Sequence, residues 1–162
     1  MELIKGLSST SIVKKEALII IDAINEHISS DKTFLDIGSG DGSFLNIVKE
    51  HTDIENLIGV EIQKSLHEKA SVDHSYLELH NDNIVNKLDI VEKADIIFIN
   101  NPGIPNYTFW EIWDSIKPGA VIIYNNISLS IKLKGSLGHS ISDIRLNNAL
   151  PFRSYNYIVK KS

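Results

Sequence analysis

The chain has 162 residues, 43% of them hydrophobic and 23% charged, a balance that fits one globular domain and excludes a disordered or fibrous chain. It has no cysteine, so disulfides, thiolate metal sites and cysteine nucleophiles are excluded together. The formal net charge of −5 hides an uneven distribution: residues 1–116 carry nine Lys/Arg against twenty Asp/Glu, and residues 117–162 carry seven against one. That basic part reads first as a solvated strand-and-loop region and second as a contact surface for an acidic partner. No run approaches the roughly 20 apolar residues that cross a bilayer, and "MELIKGLSSTSIVKK" has no signal-peptide core, so a cytoplasmic chain without membrane contact is expected.

In chain order, Val13, Ala17, Ile20, Ile21, Ile24 and Ile28 recur at helical steps and predict a helix over 11–28. Residues 33–37, "TFLDI", read as a strand, followed by the glycine turn "GSGDG" and a helix over 42–50 whose Phe44, Ile47 and Val48 share a face. The pattern repeats. "NLIGVEI" (56–62) is a strand, "QKSLHEKA" a helix, "YLELH" (76–80) a strand, and "IVNKLDIVEK" a short helix. "ADIIFIN" (94–100) is the most apolar strand. "NYTFWEIWDSI" (106–116) is a helix with Phe109 and Trp113 on its core face, and "AVIIYN" (120–125) is the fifth strand.

Strands that are continuous apolar runs, alternating with helix-length segments, predict a doubly wound, mostly parallel, Rossmann-like α/β sheet of about seven strands. "SLSIKLKGSLGHS" reads as a loop or substrate-facing insertion. Strands near 144–146 and 154–160 then form a C-terminal antiparallel hairpin. A single domain over 1–162 is expected, with an N-terminal loop and helix (1–30), a ligand-binding core (33–125) and a loop with an edge hairpin (126–162).

In such a sheet ligands sit beyond the carboxyl ends of the strands, where a glycine turn lets backbone approach them. "DIGSGDGS" lacks the Gly-Lys-Ser/Thr of a phosphate-binding loop, and Ser43 stands where a dinucleotide fingerprint needs glycine. Asp36 and Asp41 flank the turn. Two carboxylates there would repel pyrophosphate and attract an ammonium or sulfonium. Glu61 follows 19 residues beyond Gly42, near the spacing at which an acid grips ribose hydroxyls, and Asp82 after the third strand could accept from an adenine amine. No His/Asp/Glu grouping has metal-ligand spacing, and no metal is expected.

"LDIGSGDG", "GVEI", "HNDNI" and "IIFINN", in that order over about residues 33–125, resemble the motifs of class I S-adenosylmethionine-dependent methyltransferases. The resemblance implies that S-adenosylmethionine is the cofactor. Asp36 with Gly38 and Gly40 would hold its methionine part, Glu61 its ribose hydroxyls and Asp82 its adenine amine, with Ser39, Ile62 and Asn83 as further cofactor-binding residues.

The residues after the fourth strand, "INNPGIPNY", decide the acceptor. An asparagine there can orient an amine, so Asn100 and Asn101 are the expected catalytic residues, with Asn100 also near the cofactor and Tyr107 and Trp110 lining the channel. Amino-group methyltransferases of nucleobases or glutamine have Asp/Asn-Pro-Pro and an aromatic at this point, whereas Gly103 and Ile104 follow Asn101 and Pro102 here, without a stacking surface. "LSSTSIVKKEALIIIDAI", "GVE" and "IIFINN" are most similar to the non-SET lysine methyltransferases named for disruption of telomeric silencing, a resemblance that would put Thr10 over the cofactor. The long N-terminal helical region and basic nucleosome-binding tail of that family are not seen, so a protein lysine is the expected acceptor and a nucleosome is not. A nucleic-acid or small-molecule amine, or a cofactor-binding domain without catalysis, are the alternatives.

Overall fold

The computed structural model describes residues 14–99, 104–124, 138–145 and 155–161. Among the described residues five α-helices and seven strands are formed: α1 (Lys14–Ala23), β1 (Thr33–Ile37), α2 (Ser43–His51), β2 (Asn56–Val60), α3 (Lys64–Asp73), β3 (Glu78–His80), α4 (Leu88–Lys93), β4 (Ile96–Ile99), α5 (Asn106–Ser115), β5 (Val121–Tyr124), β6 (Gly138–Arg145) and β7 (Tyr155–Lys161). The strands make one sheet in the order β3-β2-β1-β4-β5-β7-β6. The first five are parallel, and β7 lies antiparallel between β5 and β6. The expected α/β class, parallel core and C-terminal antiparallel pair are all present.

Alternation along the central strands sends side chains to two cores, one on each face of the sheet. Leu35, Ile37, Ile97, Ile99 and Ile122 pack under α4 and α5, where Phe109, Ile112, Trp113 and Ile116 supply the helix stripe. Phe34, Ile96, Phe98, Val121, Ile123 and Ile158 pack under α1 and α2. The rings of Phe44 and Phe98 lie 4.4 Å apart in that second core. Phe109 and Trp113 are thus core residues, as their spacing predicts.

At the amino ends of the strands the Asp95 carboxylate accepts from the Thr33 N–H at 3.0 Å and pairs with Lys117 at 2.8 Å, tying the starts of β1 and β4 to the α5–β5 turn. Beside it Lys161 donates to the Trp113 and Ile116 carbonyls, both at 2.5 Å, closing the C-terminus of α5 with a cation that the helix's own last turn does not supply. Both devices sit at the sheet end remote from the glycine turn.

Several boundaries differ from expectation. The first helix stops at Ala23 and gives way to a turn and a 3₁₀ segment, Asn25–His27. The segment 84–93 is split, because Asn83 caps a 3₁₀ turn at Ile84–Asn86 through Val85 N–H before α4 begins. β6 begins at Gly138, inside the stretch expected to be loop, since its ladder to β7 forms the strand despite a Ser- and Gly-rich composition. No helix among the described residues is long and apolar enough to cross a membrane.

Candidate functional site at the carboxyl ends of β1 to β3

The turn after β1 is built by glycine. Gly38, Gly40 and Gly42 all have positive φ, at 81°, 56° and 79°, a left-handed backbone that costs other residues about 1–2 kcal/mol each. Gly38 and Ser39 donate to the Val60 carbonyl at 2.8 and 3.2 Å, extending the β1–β2 ladder into the turn. The glycines then differ in purpose. A Cβ on Gly42 would meet the His74 ring at 2.9 Å and Ala70 Cβ at 3.4 Å, so Gly42 lets α3 approach α2. A Cβ on Gly40 would meet nothing within 4 Å among the described residues, so there its bare backbone faces open space beyond the strand ends. A fourth glycine, Gly59 in β2, leaves room for Ser39 and Leu45 beneath the turn.

Two buried acids stand at adjacent strand ends. Glu61 is 5% exposed and fully engaged: it accepts from Gly40 N–H at 2.8 Å and from Gln63 N–H at 2.7 Å, binding the turn to the end of β2. Asp36 is 2% exposed, and its Oδ1 has no hydrogen-bond donor among the described residues. Burial first, and the neighbouring Glu61 charge second, push its carboxyl up to about 8. An orphaned buried carboxylate oxygen beside an open glycine backbone is the site's main asymmetry.

Asp41, the other acid of the turn, does not share this environment. Its Oδ1 accepts from the Ser43 N–H and hydroxyl at the start of α2, and its Oδ2 holds Lys69 at 2.7 Å. Burial opposes ionisation, but the hydrogen bonds from Lys69 and Ser43 outweigh it and hold the carboxyl below its usual value. The two flanking aspartates, expected to act alike on a ligand cation, therefore differ: Asp41 closes the turn against α2 and α3, and Asp36 keeps an oxygen without a donor among the described residues.

The ends of β2 and β3 continue the row of strand ends beside the turn. Ile62 directly follows Glu61 and is 65% exposed, an apolar side chain offered to whatever lies over the strand ends. Asn81, absent from the expected set, donates to the carbonyls of Glu61 and Ile62 at 2.7 and 3.3 Å and so ties the end of β3 to that of β2. Its place beside Asp82 in "HNDN" is the signal that could have identified it. Asp82 Oδ1 accepts from Asn83 N–H at 2.7 Å and Asn86 Nδ2 at 2.9 Å, and the hydrogen bond from Asn86 is the larger cause of its lowered pKa. Its Oδ2 lies 4.0 Å from Lys87. The Asn83 side chain caps the 3₁₀ turn, accepting from Val85 N–H at 3.3 Å.

Of the other expected site residues, Thr10, Asn100 and Asn101 lie outside the described residues. Tyr107 is 69% exposed in the first turn of α5, after β4, and Trp110 is half-buried against Phe109. The sheet therefore brings Asp36, Gly38, Ser39, Gly40, Glu61 and Ile62 to adjoining strand ends, with Asp82 and Asn83 at the next strand.

These residues fit a ligand with a cationic group near Asp36, a backbone-contacting part over Gly40 and an apolar ring by Ile62. No protein-family model matches the sequence, and no curated protein matches it. Among solved structures, the chain is similar to an RNA methyltransferase from Salinibacter ruber in complex with S-adenosyl-L-homocysteine, with 12% identity, 94% of each chain covered and a TM-score of 0.74. It is also similar to a precorrin-6y C5,15-methyltransferase from Geobacter metallireducens, with 13% identity, 96% of this chain and 92% of that one covered, and a TM-score of 0.72. A third likeness is to the N-methyltransferase NodS from Bradyrhizobium japonicum, with 10% identity, 91% and 93% covered, and a TM-score of 0.70. The chain has the Rossmann-like fold that these methyltransferases share.

Proposed function

We propose that the protein is an S-adenosylmethionine-dependent methyltransferase. The observation that carries this reading is the pairing of an undonated, buried Asp36 oxygen with the open Gly40 backbone, in a fold shared with methyltransferases of several acceptors. Asp36 and the backbone of Gly38–Gly40 would hold the methionine part of the cofactor. Glu61 has both oxygens occupied by backbone N–H groups, but each retains a lone pair that can accept from a ribose hydroxyl. Ile62 would cover a face of the adenine, and Asp82 Oδ2, less engaged than Oδ1, would accept from the adenine amine. The cofactor supplies a methyl group on a cationic sulfur, so the protein's task is to align a neutral nucleophile with it and to keep water away.

For the acceptor we infer an amine, with a protein lysine as the favoured source. "INNPGIPNY" supports this, because an asparagine carbonyl after β4 can accept from an amine and orient its lone pair. The basic balance of residues 117–162 and the likeness to an RNA methyltransferase favour a nucleic-acid amine as the second reading.

Calorimetric titration with S-adenosylmethionine and S-adenosylhomocysteine tests the cofactor, and a chain that binds neither is not this enzyme. Labelled methyl transfer into separate pools of protein, RNA, DNA and metabolites tests the acceptor. Label confined to nucleic acid would replace lysine by a base amine. Asn101→Ala should lower turnover at least about tenfold with cofactor affinity kept, and unchanged turnover would remove Asn101 from the site.

A further inference from the structure

Asp36 and Glu61 are neighbouring acids at the ends of paired strands, yet among the described residues only Glu61 is supplied with donors. Among the described residues, the groups that face Asp36 offer no cation. From β2 comes the Glu61 carboxylate, and from β4 the register partner is Phe98. In the glycine turn Asp41 is already paired, and it holds the α3 cation Lys69 to itself. Among the described residues no Lys, Arg or His acts on Asp36.

We propose that the empty site keeps a proton on Asp36 and exchanges it for the ammonium group of its ligand, so that Asp36 selects ligands by charge. In the exchange the carboxyl O–H bond breaks, its electron pair stays on Asp36, the proton leaves to solvent, and the resulting carboxylate pairs with the ammonium. This rests on the cofactor reading given above, and deepens it from what the site holds to how the site discriminates. Burial and the Glu61 charge put the Asp36 carboxyl near 8 in the free protein, so it is protonated at pH 6.5, where the ligand's own α-amine is still charged. A ligand without an ammonium has nothing to displace the proton.

The test is calorimetric titration of the full chain at pH 6.5 in phosphate and in imidazole buffer, whose ionisation heats differ, with S-adenosylhomocysteine and with adenosine as ligands. About 0.9 proton should be released per S-adenosylhomocysteine bound, and none per adenosine. In Asp36→Asn the release should vanish. A second measurement needs no variant: the affinity of the unaltered chain for S-adenosylhomocysteine should rise about tenfold between pH 6 and pH 7, while that for adenosine stays level. Binding of S-adenosylhomocysteine without proton release, equal release with adenosine, or release that persists in Asp36→Asn overturns the exchange and leaves the cofactor reading standing. Failure to bind S-adenosylhomocysteine at any pH overturns both.

Discussion

Replacing Gly40 and Gly42 separately by alanine distinguishes a ligand cradle from a packing device within a single turn. Both residues have left-handed backbone, so each substitution carries about 1–2 kcal/mol of conformational cost. For Gly40→Ala nothing adds to it, because the new methyl meets no atom within 4 Å; a chain of this size should lose roughly 2–8 °C in Tm. For Gly42→Ala the methyl lands 2.9 Å from the His74 ring and 3.4 Å from Ala70, adding about 1–3 kcal/mol unless α3 moves. Ligand affinity should run the other way. The Gly40 methyl occupies the space the ligand backbone contacts would use and should weaken S-adenosylhomocysteine binding at least about tenfold, or 1.4 kcal/mol, whereas folded Gly42→Ala should bind within a few-fold of the parent. Scanning calorimetry without ligand and titration calorimetry with it give the two numbers. Parental affinity in Gly40→Ala, or lost affinity in a Gly42→Ala chain that melts like the parent, would refute the division of roles.

Other substitutions probe the frame around the site. Gly59→Ala puts a methyl 2.7–2.9 Å from Leu79, Ser39 and Leu45, so urea unfolding should register a loss of about 1–3 kcal/mol; a variant as stable as the parent would mean that the sheet and turn shift freely there. Lys161→Met removes two charge-assisted hydrogen bonds from the end of α5 and should lower stability by about 1–2 kcal/mol with S-adenosylhomocysteine affinity unchanged, since the cap is at the opposite end of the sheet. Asp36 gives ligand-free stability a pH dependence. Its folded pKa of about 8 lies above the unfolded value of 3.8, so its contribution is full below pH 4 and is lost as pH rises towards 8, at no more than about 1.4 kcal/mol per pH unit. Asp36→Asn should remove that slope, and parallel stability curves for variant and parent between pH 5 and pH 8 would contradict it.

What was legible in the sequence is what neighbouring residues decide. β1, its glycine turn and α2 are contiguous, each with its own periodicity or backbone requirement, and their expected positions agree with those observed within a residue. The parallel core was readable because strands covered on both faces are apolar throughout. Features that depend on distant partners were not readable. The expected hairpin has a strand only near 144–146; β6 reaches back to Gly138 because of β7, and "GHSI" has neither alternation nor apolar run to announce that start. Asp41 differs from Asp36 through Lys69, 28 residues away, while Asp36 keeps its oxygen undonated because nothing in β2 or β4 reaches it. The Asn81 staple likewise joins two strand ends 20 residues apart.

The strand order also sets a schedule for folding. β6 is made before β7 but has no place in the sheet without it, because β7 alone borders both β5 and β6. Until Tyr155–Lys161 has been synthesised, the outer edge of β5 presents unpaired backbone, Ile158 is missing from the α1–α2 core, and α5 lacks the lysine that closes it. The nascent chain thus carries the completed β1–β2 cradle while one flank of the sheet is still open to other chains. Arrival of β7 seals that flank, fills the core and caps the helix in one event, so acquisition of ligand binding and of resistance to aggregation should be separable in time.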